Sequence, residues 1–442
     1  MKSLYLLLIA LFVITYSNAQ IVDIPDANFK DALVNTNCVD IDEDGIGDVD
    51  ADTNNDGEIQ VSEALTVLSL NVAYKSIGSL EGIQSFTNLE HLNFEDNQAV
   101  TIDISQNLNL VSLDGDHNDL ISLDVSQNTN LEQLELRQNE IASLDITQNV
   151  SLNRLICSSN LLTELDVSQN INLILLDIAG NQITDIDLNN LVNLIQLTTA
   201  NNPLETLNVT GNINLENLYC TNNDFTSLDL SQNINLQRVQ GVQNALTSLD
   251  VTHNPNLISL FMANNNLSSL DLSQNQALES LHVSHNSIDN LDLSQNVNLT
   301  YVYCIGNGLE SLNMKNGNNG NVTQCVTNGN IYLFCIQVDD IAIPTNQNGW
   351  FKDDWADYSE DCDLGTEDIT QISFTIYPNP VQDILNIESQ LQIEAVKIYS
   401  LQGQLVKEDA TNRVDVSQLT SGLYFIQLSV DGKTVTKKFI KN

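Results

Sequence analysis

Leu131-Glu-Gln-Leu134-Glu-Leu136-Arg-Gln-Asn139-Glu-Ile141-Ala-Ser-Leu144-Asp-Ile146-Thr-Gln-Asn149-Val-Ser151 is one turn of the pattern that decides the fold. Leu134 and Leu136 alternate with polar neighbours, which predicts a short strand with one buried face. Leu131 and Ile141 turn inward at the two bends, and Leu144 and Ile146 make the return side extended as well. Twenty-one residues leave little room for a helix. Working outward, asparagine recurs at the same mark twelve times in steps of 21, from Asn97, Asn118 and Asn139 to Asn307 and Asn328. One globular core gives every residue its own surroundings, so this regularity requires a solenoid whose coils repeat one environment.

Asparagine suits the mark because its amide both donates and accepts, and can pair the backbone groups left over where the chain leaves the strand. The pattern L-x-x-L-x-L-x-x-N-x-L resembles the leucine-rich repeat family over residues 65 to 330. The resemblance implies a mainly β, curved solenoid with a parallel sheet on its concave side and no long helices.

A second column is acidic, with Asp103, Asp124, Asp145, Asp166 and Asp187, then Asp229, Asp250, Asp271 and Asp292. Carboxylates about 5 Å apart in water repel by only ~1 kcal/mol per pair. The column is tolerable if each caps a turn amide beside the following Ser/Thr-Gln-Asn. A cation-binding stripe is the other reading.

Residues 1–19 begin with Lys2, run apolar from Leu4 to Val13 and end Ser17-Asn18-Ala19. This reads as a secretory signal peptide cut after Ala19. No later stretch is long and apolar enough to span a bilayer. The net charge of −43 excludes nucleic acid and anionic membranes as partners. Residues 372–442 hold seven basic and seven acidic residues, so the whole excess lies before them and marks a boundary near 370.

Of the seven cysteines, Cys157, Cys220, Cys304 and Cys325 fall at the mark of Leu136 and read as small buried apolar residues. Cys304 and Cys325 fall in adjacent coils, where pairing would be strained. Cys335 and Cys362 bracket Trp350 and Trp355 in a carboxy-terminal cap over 331–362, where export favours a disulfide. Cys38 has no evident partner.

Residues 20–64 form an acidic amino-terminal cap. Asp52-Thr-Asn54-Asn-Asp56-Gly57-Glu58-Ile59-Gln60-Val-Ser-Glu63 matches the twelve-residue EF-hand calcium loop. Asp52, Asn54 and Asp56 would give side-chain oxygens, Glu58 its carbonyl, Gln60 a direct or water-borne contact and Glu63 a bidentate carboxylate. The expected cofactor is a structural Ca²⁺. Upstream, Asp40, Asp42, Asp44, Gly45 and Asp48 make an imperfect second loop that lacks the closing Glu. Asp26 to Val34 reads as a helix separated from both.

After a linker at 363–371, the 21-residue step is gone. Ser373 to Pro380, Ile384 to Ile387, Ala395 to Gly403, Leu419 to Leu428 and Lys433 to Asn442 read as short strands of a small β-sandwich. Tyr377-Pro378-Asn379-Pro380, the Gly403 turn, Ser421-Gly422-Leu423-Tyr424 and the basic tail resemble the carboxy-terminal sorting domain of type IX secretion substrates. That implies handling of residues 372–442 by the type IX machinery of a Bacteroidota-type cell. The chain would then be released or attached to the outer-membrane surface.

No serine, cysteine or histidine has the context of a catalytic motif, and His282 and His285 lie on a strand-to-turn path that does not suit zinc. The chain reads as a binding protein, not an enzyme. Residues flanking the inward strand leucines project from the concave sheet, acidic in the first half and aromatic in the second. Tyr219, Phe261, His282, Tyr301 and Tyr303 are the candidate contacts for a protein or carbohydrate, in an adhesion or recognition role. The alternative is a structural coat or matrix component whose assembly calcium stabilises.

Overall fold

The computed structural model describes residues 20–42, 44–362, 374–389, 393–401, 403–430 and 433–442. The signal peptide and the linker read from the sequence lie outside the described residues. The chain divides into two units after Glu360.

The first unit is the solenoid. Fourteen three- or two-residue strands, from Ser69–Asn71 to Trp350–Phe351, form one parallel sheet in near-sequential order. From His91–Asn93 to Tyr301–Tyr303, adjacent strands pair 21 residues apart, as Leu113 with Leu134 and Leu134 with Leu155. Leu131, Leu134, Leu136, Ile141, Leu144 and Ile146 are all buried in a single continuous core. Expressed per coil, six aliphatic side chains leave water, which is why so short a repeat closes without a helix. In the last four coils the return side also becomes a parallel sheet, formed by Asn290–Asp292, Ser311–Asn313, Cys335–Gln337 and Asp357–Ser359.

Each ladder asparagine ties two coils together. Asn139 donates to the carbonyls of Gly115 and Leu136 at 2.9 and 3.1 Å, and its Oδ1 accepts from Leu120 N–H at 3.0 Å. The residue before it is left-handed in coil after coil, from Asp96 and His117 to Asn264 and His285, with glycine there at Gly180, Gly306 and Gly329. A second, fully buried ladder runs on the other side of the core. Asn149 donates to the carbonyls of Val125 and Asn128, and Asn107, Asn128 and Asn170 repeat the arrangement.

The step changes near the end, and three sequence expectations change with it. Val302 pairs with Cys325, 23 residues on, because of two extra residues in the Asn316 to Gly320 region. Asn330, not Asn328, therefore joins the ladder, donating to Cys304 O at 2.9 Å and accepting from Asn307 N–H at 3.1 Å. Cys325 takes the Leu134 position, and Gln324 moves into the column of Tyr301. The sheet also continues past residue 330, so the segment read as a cap contains a further coil, in which Trp350–Phe351 pairs with Cys325–Val326. Cys335 and Cys362 are disulfide-bonded, and the other five cysteines are free and buried. Burial pushes the thiols of Cys38, Cys157, Cys220, Cys304 and Cys325 up, which makes them inert.

The amino-terminal end of the sheet is covered. Helix Ala27–Asn35 starts at Asp26, whose Oδ1 accepts from the N–H groups of Asn28 and Phe29. Its Oδ2 accepts from Gly78 and Ser79, anchoring the helix to the first coil. Asn71 N–H donates to Cys38 O and Asp40 N–H to Ser69 O, so the sheet edge does not stay open.

The second unit is an antiparallel β-sandwich. Phe374–Tyr377, Ile384–Ser389 and Arg413–Asp415 form one sheet. Leu405–Asp409, Ala395–Ser400, Gly422–Val430 and Lys433–Lys441 form the other, and Phe374, Leu385, Val396, Ile398, Ile426 and Phe439 fill the space between them.

Candidate functional site

The last residue of each strand projects from the long sheet, and consecutive coils bring these residues about 4.8 Å apart. Asp114, Glu135, Ile156, Asp177, Thr198, Tyr219, Gln240, Phe261, His282 and Tyr303 make this column. Of the five aromatic candidates, the structure joins three into a ladder. Phe261 meets His282 edge-on at 5.9 Å between ring centres, and His282 meets Tyr303 tilted at 5.3 Å. Burial and then the neighbouring His285 hold His282 below its ordinary value, so the ring stacks as neutral imidazole.

Tyr301 stands in the adjoining column on the strand of Tyr303 and is 42% exposed. The Tyr303 hydroxyl donates to Gln324 Oε1, reaching diagonally to the residue that pairs with Tyr301 on the next strand. Tyr219 is separated from Phe261 by Gln240 and forms no part of the ladder.

The other end of the column is acidic and more tightly knit than two columns of sequence show. A third column adds Glu95, Asp116 and Arg137, which follow their strands by two residues. Asp116 accepts from Arg137 N–H and pairs with its guanidinium at 3.8 Å. Arg154 Nε donates to Glu135 at 2.7 Å. Burial, followed by repulsion from Asp116, Glu135 and Glu95, pushes Asp114 up to about 6. Burial likewise raises Asp116, although Arg137 opposes it. Reading every column at period 21 would have found this group. His91, Asn93, Asp114 and Glu135 border a hollow of about 350 Å³ beside Asp40 of the cap.

The aspartate column on the opposite side does turn capping. Asp124, Asp145 and Asp166 each accept from the N–H two residues on at 2.9–3.0 Å. Hydrogen bonds from that residue's hydroxyl and N–H hold these carboxyls below the usual range.

In the calcium-loop segment, Asp52 and Glu63 are buried. Asp52 accepts from Asp56 and Gly57 N–H, and Glu63 from the Thr53 hydroxyl and from Asn54 and Gln60 N–H. Both oxygens of Asp56 and the carbonyl of Glu58 converge on Gln60 Nε2 at 3.1–3.2 Å, while the Glu58 carboxylate faces Lys30 at 2.6 Å. Asn54 donates to Gln60 Oε1. The six residues therefore share one compact loop, with the Glu58 side chain turned away from it. Among the described residues, the carboxylates close enough to hold one ion together are those of Asp40, Asp42 and Asp48, within 4.8 Å.

Comparison with known proteins agrees with this division. Residues 375–442 match the family described as secretion system C-terminal sorting domain. Over 96% of this chain and 98% of the other, the fold is similar to the functional domain of InlJ from Listeria monocytogenes, at 23% identity and a TM-score of 0.55. An internalin, InlF, from the same organism is similar over 69% of this chain and 94% of its own, at 22% identity and a TM-score of 0.52. The plant peptide hormone receptor RGFR1, solved in complex with RGF2, is similar over 68% of this chain and 53% of its own, at 21% identity and a TM-score of 0.55. No curated protein matches. The solenoid is a leucine-rich repeat fold, and the tail is a type IX sorting domain. A tail of this kind marks the chain for export to the cell surface or the medium. No helix among the described residues is long and apolar enough to cross a membrane.

Proposed function

We propose that this exported repeat protein binds a protein or carbohydrate ligand on its long sheet, with Tyr219, Phe261, His282, Tyr301 and Tyr303 as contact residues. The observation that carries the reading is the ladder of Phe261, His282 and Tyr303, three partly exposed rings on one face of a chain that is only 5% aromatic. Rings offer large contact area at low entropy cost, which favours recognition. The binding role is adhesion at the surface, where the sorting tail delivers the chain. Replacing Tyr219, Phe261 and Tyr303 together with serine should abolish capture of a ligand found on a glycan or protein array. The melting temperature should stay near wild type, because none of these side chains enters the core. Undiminished capture would move the site elsewhere.

Calcium belongs to the same proposal as a structural ion of the amino-terminal cap. Two buried carboxylates, Asp52 and Glu63, answered so far only by neutral donors, support it, and charge of this kind is stabilised far better by a divalent cation. Asp52, Asn54, Asp56, Gln60 and Glu63 would give side-chain oxygens and Glu58 its carbonyl. Calorimetric titration of the full-length chain should show calcium binding that Glu63→Gln weakens by at least about tenfold. Bound calcium should also raise the melting temperature. Absence of any calcium heat in the wild type would refute it.

A further inference from the structure

One flank of the solenoid carries an apolar stripe unrelated to the ligand face. One residue past the position of the second ladder, five successive coils present Val150, Ile171, Val192, Ile213 and Ile234, each 45–56% exposed. Beside this stripe a groove of about 800 Å³ contains Ile174 and Ile195, which are also exposed.

The stripe is held rigidly. From Ile171 onward, the asparagine after each aliphatic residue donates to the carbonyl of the aliphatic residue one coil earlier. Asn172 reaches Val150 O at 3.0 Å, Asn193 reaches Ile171 O at 3.1 Å and Asn214 reaches Val192 O at 3.0 Å.

The surroundings are what distinguish it. In a chain with 58 acidic residues, the columns bordering this stripe are uncharged. Gln127, Gln148 and Gln169 precede it, and Asn172, Asn193 and Asn214 follow it. Charge returns in the groove only at Glu132 and Glu216, and there each carboxylate accepts from an amide of the next coil, Asn153 at 3.3 Å and Gln237 at 3.1 Å.

We propose that this flank is a self-association surface, on which a second copy of the chain docks about a two-fold axis near Val192. Three features select a second copy over other occupants. First, a body of charge −43 repels its own kind, so two copies can meet only where charge is absent, and this band is such a place. Second, Val150 and Ile234 are equidistant from Val192, as are Ile171 and Ile213. An antiparallel two-fold therefore lays β-branched residue on β-branched residue along the whole stripe, as an isologous contact requires. Third, the seven aliphatic side chains expose on the order of 600 Å², and the bordering amides bring this to the about 800 Å² per partner of a stable interface.

The contact has an unusual salt signature. Its own chemistry is neutral, while the opposing force is repulsion between two acidic bodies, so added salt should strengthen association. Sedimentation velocity of the full-length chain at low salt and at about 0.5 M salt tests this. The expected result is a dimer whose share rises with salt. Ile171→Lys with Ile213→Lys should weaken association by about tenfold or more. Ile171→Asn with Ile213→Asn, which adds no charge, should weaken it as well. Both variants should melt like the wild type, since the altered side chains lie outside the core, and Phe261→Ser should leave the dimer intact. A wild type that is monomeric at both salt levels overturns the proposal. So does a dimer that either double variant leaves untouched, or one that Phe261→Ser alone dissolves.

Discussion

Asn181→Ala should destabilise the solenoid by about 3–4 kcal/mol, although it removes no apolar contact. Asn181 is buried, donates to Cys157 O at 3.0 Å and Ile178 O at 2.9 Å, and accepts from Leu162 N–H at 3.0 Å. The two carbonyls keep other amide partners, because Asn160 also donates to Cys157 O and Asn202 to Ile178 O. The Leu162 N–H keeps none among the bonds observed. Stranding a buried donor costs about 1–3 kcal/mol, and the lost bonds to the carbonyls add about 1 kcal/mol each. Asn181→Asp should be at least as damaging, since it sets a carboxylate oxygen against two carbonyl oxygens. Asn172→Ala, in the exposed column, should cost under about 1 kcal/mol, having one solvent-accessible bond to lose. Urea denaturation followed by circular dichroism compares the three. A loss below about 1 kcal/mol at Asn181, or equal losses at Asn181 and Asn172, would show that the ladder does not hold the coils together.

The ladder also marks how far the sequence could be read. A period of 21 is visible because stacking makes every coil solve one problem, so the inward positions around Leu134, the turn-capping aspartates and the helix beginning at Asp26 follow from spacing and residue chemistry. Spacing fails where the coil changes length. Residue counting puts Asn328 on the mark, but hydrogen bonds choose Asn330, and the Asn316-Gly-Asn-Asn-Gly320 stretch gives no sign of which residues are extra.

The left-handed residues were hidden for a different reason. Asp96, His117 and Gln138 are not glycines, and only the amide bonds around the next asparagine hold them there. The aromatic face was legible as a list of residues, but not its division. Strand pairing places Phe261, His282 and Tyr303 in contact, and Gln240 leaves Tyr219 apart. The charge-free flank went unseen because an exposed aliphatic residue is unremarkable alone and acquires meaning only in register with four others.

Removing residues 372–442 should stop the chain in the periplasm, with release or surface display reduced to background, and the tail's structure sharpens that into a smaller cut. The motif pieces that resemble a sorting domain converge on the final strand, Lys433–Lys441. Asn379, from Tyr377-Pro378-Asn379-Pro380, accepts from Ile440 N–H at 2.8 Å, and Val381 N–H donates to Ile440 O at 2.8 Å. Tyr424, from the Ser421-Gly422-Leu423-Tyr424 segment, stacks on Phe439 at 5.7 Å, and its hydroxyl donates to Thr420 O at 3.0 Å. The ammonium of Lys437 lies 4.9 Å from the centre of the Phe374 ring, on the first strand of the opposite sheet. The last strand pairs along its whole length with Gly422–Val430. Deleting residues 433–442 alone would therefore expose that strand's edge, empty the sandwich core of Phe439 and free Asn379 from its partner. If the machinery reads the folded domain, this short deletion should block export as completely as loss of residues 372–442. If it reads the Tyr-Pro-Asn-Pro segment as an extended peptide, the short deletion should still be exported. Fractionation of cells into periplasm, surface and medium separates these outcomes. Export of the chain lacking all of 372–442 at the wild-type level would show that the tail is not the sorting signal.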